Sequence, residues 1–206
     1  TVPRPSEKNP RVPAELDEEM ADRTRDKTEY KIHVAVQKRV AKHDASGLDT
    51  AARKRTAILL GSSSFDVQVS EQRYQADLQQ RGDAAVPLPI IGYGKLTERL
   101  ANQLALSAYR FTYSTACTSS SNALLYGQRL INAGLVEHAL VIGLEWRNLT
   151  SILGFEGLGL LSPTASMRPF GSGRDGLLLG EAIGCVLLSH PQHAASDGPH
   201  LAGGAI

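Results

Sequence analysis

The strongest constraint on the fold lies between Arg110 and Gly143. Arg110 to Ala116 reads as a strand. Ser119 to Ala133 reads as a helix with Ala123, Leu124, Gly127, Leu130 and Ile131 on one side and Gly134 as its stop, and His138 to Gly143 is a second, continuously apolar strand. Strand, helix and strand at this spacing form a βαβ unit, so the chain is predicted to be α/β with a sheet at least partly parallel and covered on both faces. Two more apolar runs extend that sheet: Thr56 to Gly61, which ends in glycine and three serines, and Ala182 to Leu188. Val69 to Gln80 is predicted helical, and after a break at Pro87 and Pro89 the spacing of Leu96, Leu100 and Leu104 predicts another helix.

The beginning of the chain is different in kind. Pro3, Pro5, Pro10 and Pro13 are followed by Glu15, Asp17, Glu18 and Glu19, so residues 1–27 read as an extended, charged lead-in. From Thr28, Ile32, Ala35, Val36 and Val40 fall at helical spacing against a solvated face of Lys31, Lys38, Arg39 and Lys42, and Ser46-Gly47 ends the pattern. Thr1-Val-Pro-Arg-Pro5 lacks both a Met and the basic-then-apolar order of a secretory signal, which leads us to expect a trimmed or partial chain.

Charge and length exclude some functions. A formal net charge of +1 gives no basic footprint for a nucleic-acid binder, and no apolar run is long enough to span a bilayer. Two cysteines are too few for a disulfide scaffold and suit a reducing compartment, so a cytoplasmic location is expected.

Cys117 is the candidate for chemistry. In Ser114-Thr-Ala-Cys-Thr-Ser-Ser-Ser121 it sits where a strand ends and a helix begins, facing unpaired backbone N–H groups and the positive end of the helix dipole. Both favour thiolate over thiol, and the same N–H groups suit an oxyanion formed when a thioester carbonyl is attacked. The competing reading is a buried cysteine at a tight turn.

The segment Thr115-Ala-Cys-Thr-Ser-Ser-Ser121 with Ala123-Leu124 resembles the nucleophile motif of β-ketoacyl synthases, condensing enzymes of the thiolase superfamily. Gly154-Phe155, Leu161-Ser162, Arg168-Pro-Phe170, Gly173-Arg-Asp-Gly176 and Gly180-Glu181 follow in order and are similar to that family's glycine-phenylalanine, RPFD, RDG and GEG motifs. The resemblance covers about Leu48 to Ile206. It implies a thiolase-like layered αβαβα sandwich, with residues 28–206 forming most of its N-terminal half and the C-terminal half absent from this sequence.

The resemblance further implies that Cys117 is the acyl-accepting nucleophile and that Phe155 lines the acyl pocket, binding substrate. Arg168, Arg174, Asp175 and Glu181 would hold turns around that pocket. The implied reaction is decarboxylative Claisen condensation with malonyl-acyl carrier protein in fatty-acid, polyketide or polyene-type biosynthesis. It uses no cofactor and no metal. The partners are an acyl carrier protein and a second ketosynthase-like subunit, in a homodimer or heterodimer. Arg53-Lys54-Arg55 and Arg73 are candidate docking cations by composition.

Departures from the family's pattern bear on substrate class: Gly171 follows Arg-Pro-Phe where Asp is usual, Leu177 replaces an aromatic after RDG, and Ala182 replaces the second glycine of GEG. The family's two catalytic histidines belong to its second half, so these 206 residues alone are expected not to condense. His33, His43, His138, His190, His193 and His200 offer no substitute, and His190 with His193 lacks the extra ligands of a metal site. Alternatives are a non-catalytic partner subunit of the chain-length-factor type and an acyltransferase of the same fold that transfers without decarboxylation. Gly171-Ser-Gly-Arg-Asp-Gly176 has the spacing of a dinucleotide loop but lacks the preceding strand and the following helix. Cys185, mid-strand, reads as core packing.

Overall fold

The structure is a computed structural model that describes residues 48–85, 93–193 and 199–204. The expected lead-in over residues 1–27 and the helix expected after Thr28 lie outside the described residues, as do His33 and His43. The described elements run α1 (Thr50–Lys54), β1 (Thr56–Gly61), α2 (Val67–Arg81), a short 3₁₀ turn, α3 (Tyr93–Gln103), β2 (Arg110–Tyr113), α4 (Ser119–Asn132), β3 (His138–Glu145), α5 (Leu149–Gly157) and β4 (Ala182–Ser189).

The sheet order is β2-β1-β3-β4. β1 is parallel to both neighbours, with Ile58 opposite Arg110 and Thr56 opposite His138. β4 closes the far edge antiparallel to β3, Ser189 opposite His138 and Ala182 opposite Glu145. The predicted βαβ unit is present, and the sheet is mixed because the last strand returns against the others.

Alternation along the two central strands divides the core. Ile58, Leu60, Leu140 and Ile142 point to one face and pack with Leu96, Leu100 and Ala101 of α3. Ala57, Leu59, Ala139 and Val141 point to the other and pack with Ala123, Leu130 and Ile131 of α4. Both faces are covered, which is why these strands read as unbroken apolar runs. Each fully buried Ile or Leu here contributes about 1.5–3 kcal/mol of transfer free energy. The result is three layers, α3, sheet and α4, the share one half of a five-layered sandwich would contribute. β4 is only alternately covered: Ile183, Cys185 and Leu187 pack on the first cluster while Gly184 and Val186 are exposed.

Two predicted bounds move. Leu104 lies just past the end of α3 yet still packs against the first cluster. The strand expected to run to Ala116 ends at Tyr113, because the chain turns sharply before Cys117. Ala116 has φ +53°, a left-handed conformation that a non-glycine residue rarely adopts.

Candidate active site

The carboxyl ends of β1, β2 and β3 share one edge of the sheet, the edge at which ligands bind in open α/β folds. Cys117 stands there, exposed, on the turn between β2 and the first residue of α4. The turn is cross-braced. Ser119, 2% exposed, accepts the Thr115 N–H at 2.9 Å through Oγ and donates that hydroxyl to the Ala116 carbonyl at 2.6 Å. Thr118 Oγ1 donates to the Thr115 carbonyl at 2.7 Å, and Asn122 Nδ2 donates to Thr115 Oγ1 at 2.8 Å.

α4 begins hard against the sheet. Gly61 and Gly143 are register partners on β1 and β3. A Cβ on Gly61 would lie 2.4 Å from the Ser119 carbonyl oxygen, and one on Gly143 would lie 2.8 Å from Ser120 Oγ. The absence of side chains at these two strand ends lets the positive end of the helix dipole settle beside Cys117.

The serines after β1 are engaged by a carboxylate that the sequence reading did not single out. Glu145, the last residue of β3, accepts the backbone N–H groups of Ser63 at 2.9 Å and Ser64 at 3.0 Å and the hydroxyls of both. Asn148 Nδ2 then donates to Ser64 Oγ at 2.9 Å while its Oδ1 caps α5 at the Ser151 N–H. Glu71, from α2, accepts the N–H groups of Leu149 and Thr150. Phe155 lies half-buried on α5, so the helix carrying the predicted pocket residue is fixed at its N-terminus by Asn148 and Glu71. A Glu closing an apolar strand and an Asn three residues before a serine were the available signals.

Arg168, Arg174, Asp175 and Glu181 all bind within the chain. Asp175 accepts from Ser162 and Thr164 and stands 3.8 Å from Arg168, and its carboxyl is held below the usual range first by the Thr164 and Ser162 hydroxyls, then by the Arg168 charge. Arg174 donates to the Gly171 carbonyl, and Glu181 accepts the Arg147 N–H. The glycine pattern from Gly171 to Gly176 lies in this turn-rich segment, with no strand leading into it and no helix following it. Phe170 is fully exposed with φ +62°.

The remaining sequence candidates lie elsewhere. His138 begins β3 and His193 sits beside it, 5.5 Å between rings, at the end of the sheet away from Cys117. With a strand rise of about 3.3 Å per residue that separation is roughly 20 Å. Burial holds the His138 pKa below its ordinary value, with the neighbouring His193 charge acting in the same direction. Among the described residues no three His, Cys, Asp or Glu side chains group to hold a metal ion. Arg53-Lys54-Arg55 precede β1 at this same far end. Arg53 donates to the Leu48 and Leu104 carbonyls and Arg55 pairs with Glu137, so these cations, docking candidates by composition, stand at the opposite end of the sheet from Cys117. Arg73 is half-buried on α2. A cavity of about 400 Å³ lies between the later turns of α4, β4 and residues 199–201, and Cys117 does not line it. Among the described residues no helix is long and apolar enough to cross a membrane.

Where β2 meets α4, Phe111, Tyr113 and Tyr126 cluster with ring centroids 5.5–6.4 Å apart, and burial with the Tyr126 neighbour pushes the Tyr113 pKa up to about 12.

The α/β sheet presents a cysteine on a strand-to-helix elbow, and similarity to solved ketosynthase structures makes the scaffold thiolase-like. Residues 14–194 match the family described as Beta-ketoacyl synthase, N-terminal domain, and the chain belongs to that family. It is 28% identical over 165 residues to Probable polyketide synthase 29 of Dictyostelium discoideum, which covers 76% of this chain and 5% of that protein. Among solved structures it is similar to a ketosynthase in complex with its chain length factor from Xenorhabdus doucetiae, with a TM-score of 0.54, 32% identity, and coverage of 78% of this chain and 39% of that one. The ishigamide ketosynthase/chain length factor gives a TM-score of 0.58 at 27% identity, covering 70% of this chain and 37% of that one. The chain therefore spans under half of those ketosynthase chains and a small share of the curated relative.

Proposed function

We propose that Cys117 is the acyl acceptor of a β-ketoacyl synthase acting in polyketide-type or fatty-acid biosynthesis. The observation that carries this is the exposed Cys117 thiol on a cross-braced elbow at the N-terminus of α4. Cysteine sulfur attacks the carbonyl carbon of a carrier-bound acyl thioester. A new C–S bond forms, the tetrahedral oxyanion collapses, and the carrier's thiolate departs and takes up the proton that the cysteine gave up. A malonyl thioester then loses carbon dioxide, its carbanion attacks the acyl carbon, and the Cys117 sulfur is expelled.

The decarboxylating histidines are supplied, in this reading, by the family's second half. Residues 28–206 correspond to the first half, with Phe155 on α5 lining the acyl pocket, and a second ketosynthase-like subunit pairs through the β2 edge. The acyl donor is held on an acyl carrier protein, and no cofactor is required because the thioester is already activated.

A non-catalytic, chain-length-factor role is the second reading, favoured by the similarity to structures that contain such subunits. The presence of Cys117 supports the catalytic one. Intact mass of the full-length gene product before and after incubation with an acyl carrier protein thioester separates them. A single acyl adduct absent from Cys117→Ala is expected; a folded protein that gains none from several acyl donors overturns the condensing role and favours the partner subunit.

A further inference from the structure

Resting on that reading, we infer that Ser119 is a positioning residue for Cys117, acting by holding Ala116 in its left-handed conformation. The residue before a nucleophile decides where the thiol points, and here it is an alanine at φ +53°, a region that only glycine enters freely. Such a conformation persists only where its surroundings enforce it. The enforcing contacts are on both sides of the one peptide. Ser119 Oγ accepts from the Thr115 N–H, one residue before Ala116, and donates to the Ala116 carbonyl, so a single buried hydroxyl spans the strained residue. The Ser119 backbone N–H also donates to that carbonyl at 3.1 Å.

An outer clasp repeats the grip from the exposed side. Thr118 Oγ1 donates to the Thr115 carbonyl, and Asn122, one helical turn further on, donates to Thr115 Oγ1. Ser119 itself is anchored, because its carbonyl oxygen lies against the Cα of Gly61 where a Cβ would intrude. The brace is therefore referenced to the sheet. Its two hydrogen bonds both go to the backbone of the elbow, which is what distinguishes positioning from helix packing.

The test measures the alkylation rate of Cys117 by iodoacetamide in the full-length gene product. Thiolate attacks the iodoacetamide methylene, the C–S bond forms and iodide leaves, so no acyl donor or second-half histidine is needed. Peptide mass mapping reports Cys117 and Cys185 separately, and Cys185 on β4 is the internal reference. Ser119→Ala is expected to slow Cys117 at least about tenfold, because a cysteine's reactivity depends on its placement against the helix N-terminus, with Cys185 unchanged. Where acyl transfer is observed, kcat for acylation falls with KM unaltered, since Ser119 touches no substrate.

The diagnostic variant is Ala116→Gly in the Ser119→Ala background. Glycine occupies the left-handed region without the brace, so at least a threefold recovery of the Cys117 rate is expected, which lost packing could not give. Thr118→Val removes the exposed outer hydroxyl with little effect on folding and is expected to slow Cys117 by a smaller factor. If Ser119→Ala reacts as wild type, or the glycine gives no recovery, the inference is overturned. If Ser119→Ala does not fold, Thr118→Val decides, and an unchanged rate there overturns it. Absence of acyl transfer with the predicted alkylation pattern intact would sink the condensing reading and leave the brace standing.

Discussion

Gly61 and Gly143 stand opposite one another in the β1–β3 ladder, and the first turn of α4 rests on the pair. The two contacts differ in kind. Gly61 meets the backbone of Ser119 and Ser120, whereas Gly143 meets the Ser120 hydroxyl. Two strand residues that carry no functional group therefore admit the helix that follows Cys117.

Backbone cannot move aside as a hydroxyl can. Gly61→Ala is expected to destabilise the protein by about 1–3 kcal/mol, the usual cost of overpacking, and Gly143→Ala by less because Ser120 can change rotamer. Urea unfolding of the two variants checks the order. Equal losses would mean that the start of α4 is not seated as described.

Glu145 gathers four donors from Ser63 and Ser64 at the carboxyl end of β1. Glu145→Ala leaves them without their acceptor and is expected to cost about 1–3 kcal/mol, while Glu145→Gln, which keeps one acceptor oxygen, costs less. Amide exchange localises the effect: Ser63 and Ser64 should lose protection first, and Phe155 on α5 should follow through the Asn148 contact to Ser64. Protection lost uniformly across the sheet would instead mark Glu145 as a general core contact.

The βαβ unit was legible because both of its strands and the buried side of its helix follow simple periods, and the elbow cysteine was legible because the motif around it is local. The brace was not. That Ser119 holds the elbow while Thr118 and Asn122 grip it from outside depends on how the turn closes, which three serines and a threonine in a row do not specify. The place of Arg53 and Arg55 was open for the complementary reason: composition marks a cation but does not say at which end of a strand it stands. The orientation of β4 was equally hidden, since an apolar run reads the same in either direction and the long turn-rich segment before it fixes the return.

Acidification should weaken the far end of the sheet. His138 is buried and its folded pKa lies below the ordinary value near 6.5, so the unfolded chain binds the proton more readily. Its contribution is complete above about pH 6.5 and is lost as pH falls toward the folded value. Glu137, held low by its Arg55 hydrogen bond, acts in the same sense but only below about pH 4.3. Unfolding free energies at pH 7.5, 6.5 and 5.5 should therefore decline, and His138→Gln, which can still pair with Ser189, should flatten the decline. An unchanged slope in the variant would assign the effect to other groups.

The segment between α5 and β4 is closed by Asp175, which accepts from Ser162 and Thr164 and faces Arg168. Beside this latch, the Leu161–Leu177 bridge joins the two ends of the turn, with Ser162 N–H donating to the Leu177 carbonyl at 2.9 Å. Asp175→Asn keeps the size of the side chain but removes the charge that draws both hydroxyls and Arg168 together, so the turn should open more often while the sheet is unaffected. Chymotrypsin reads this directly, because Phe170 lies in the turn and Tyr126 lies in α4. Cleavage after Phe170 is expected to rise several-fold in Asp175→Asn with cleavage after Tyr126 unchanged. Equal increases at both sites would show that the carboxylate supports global stability and that the turn is held by the Leu161–Leu177 bridge alone.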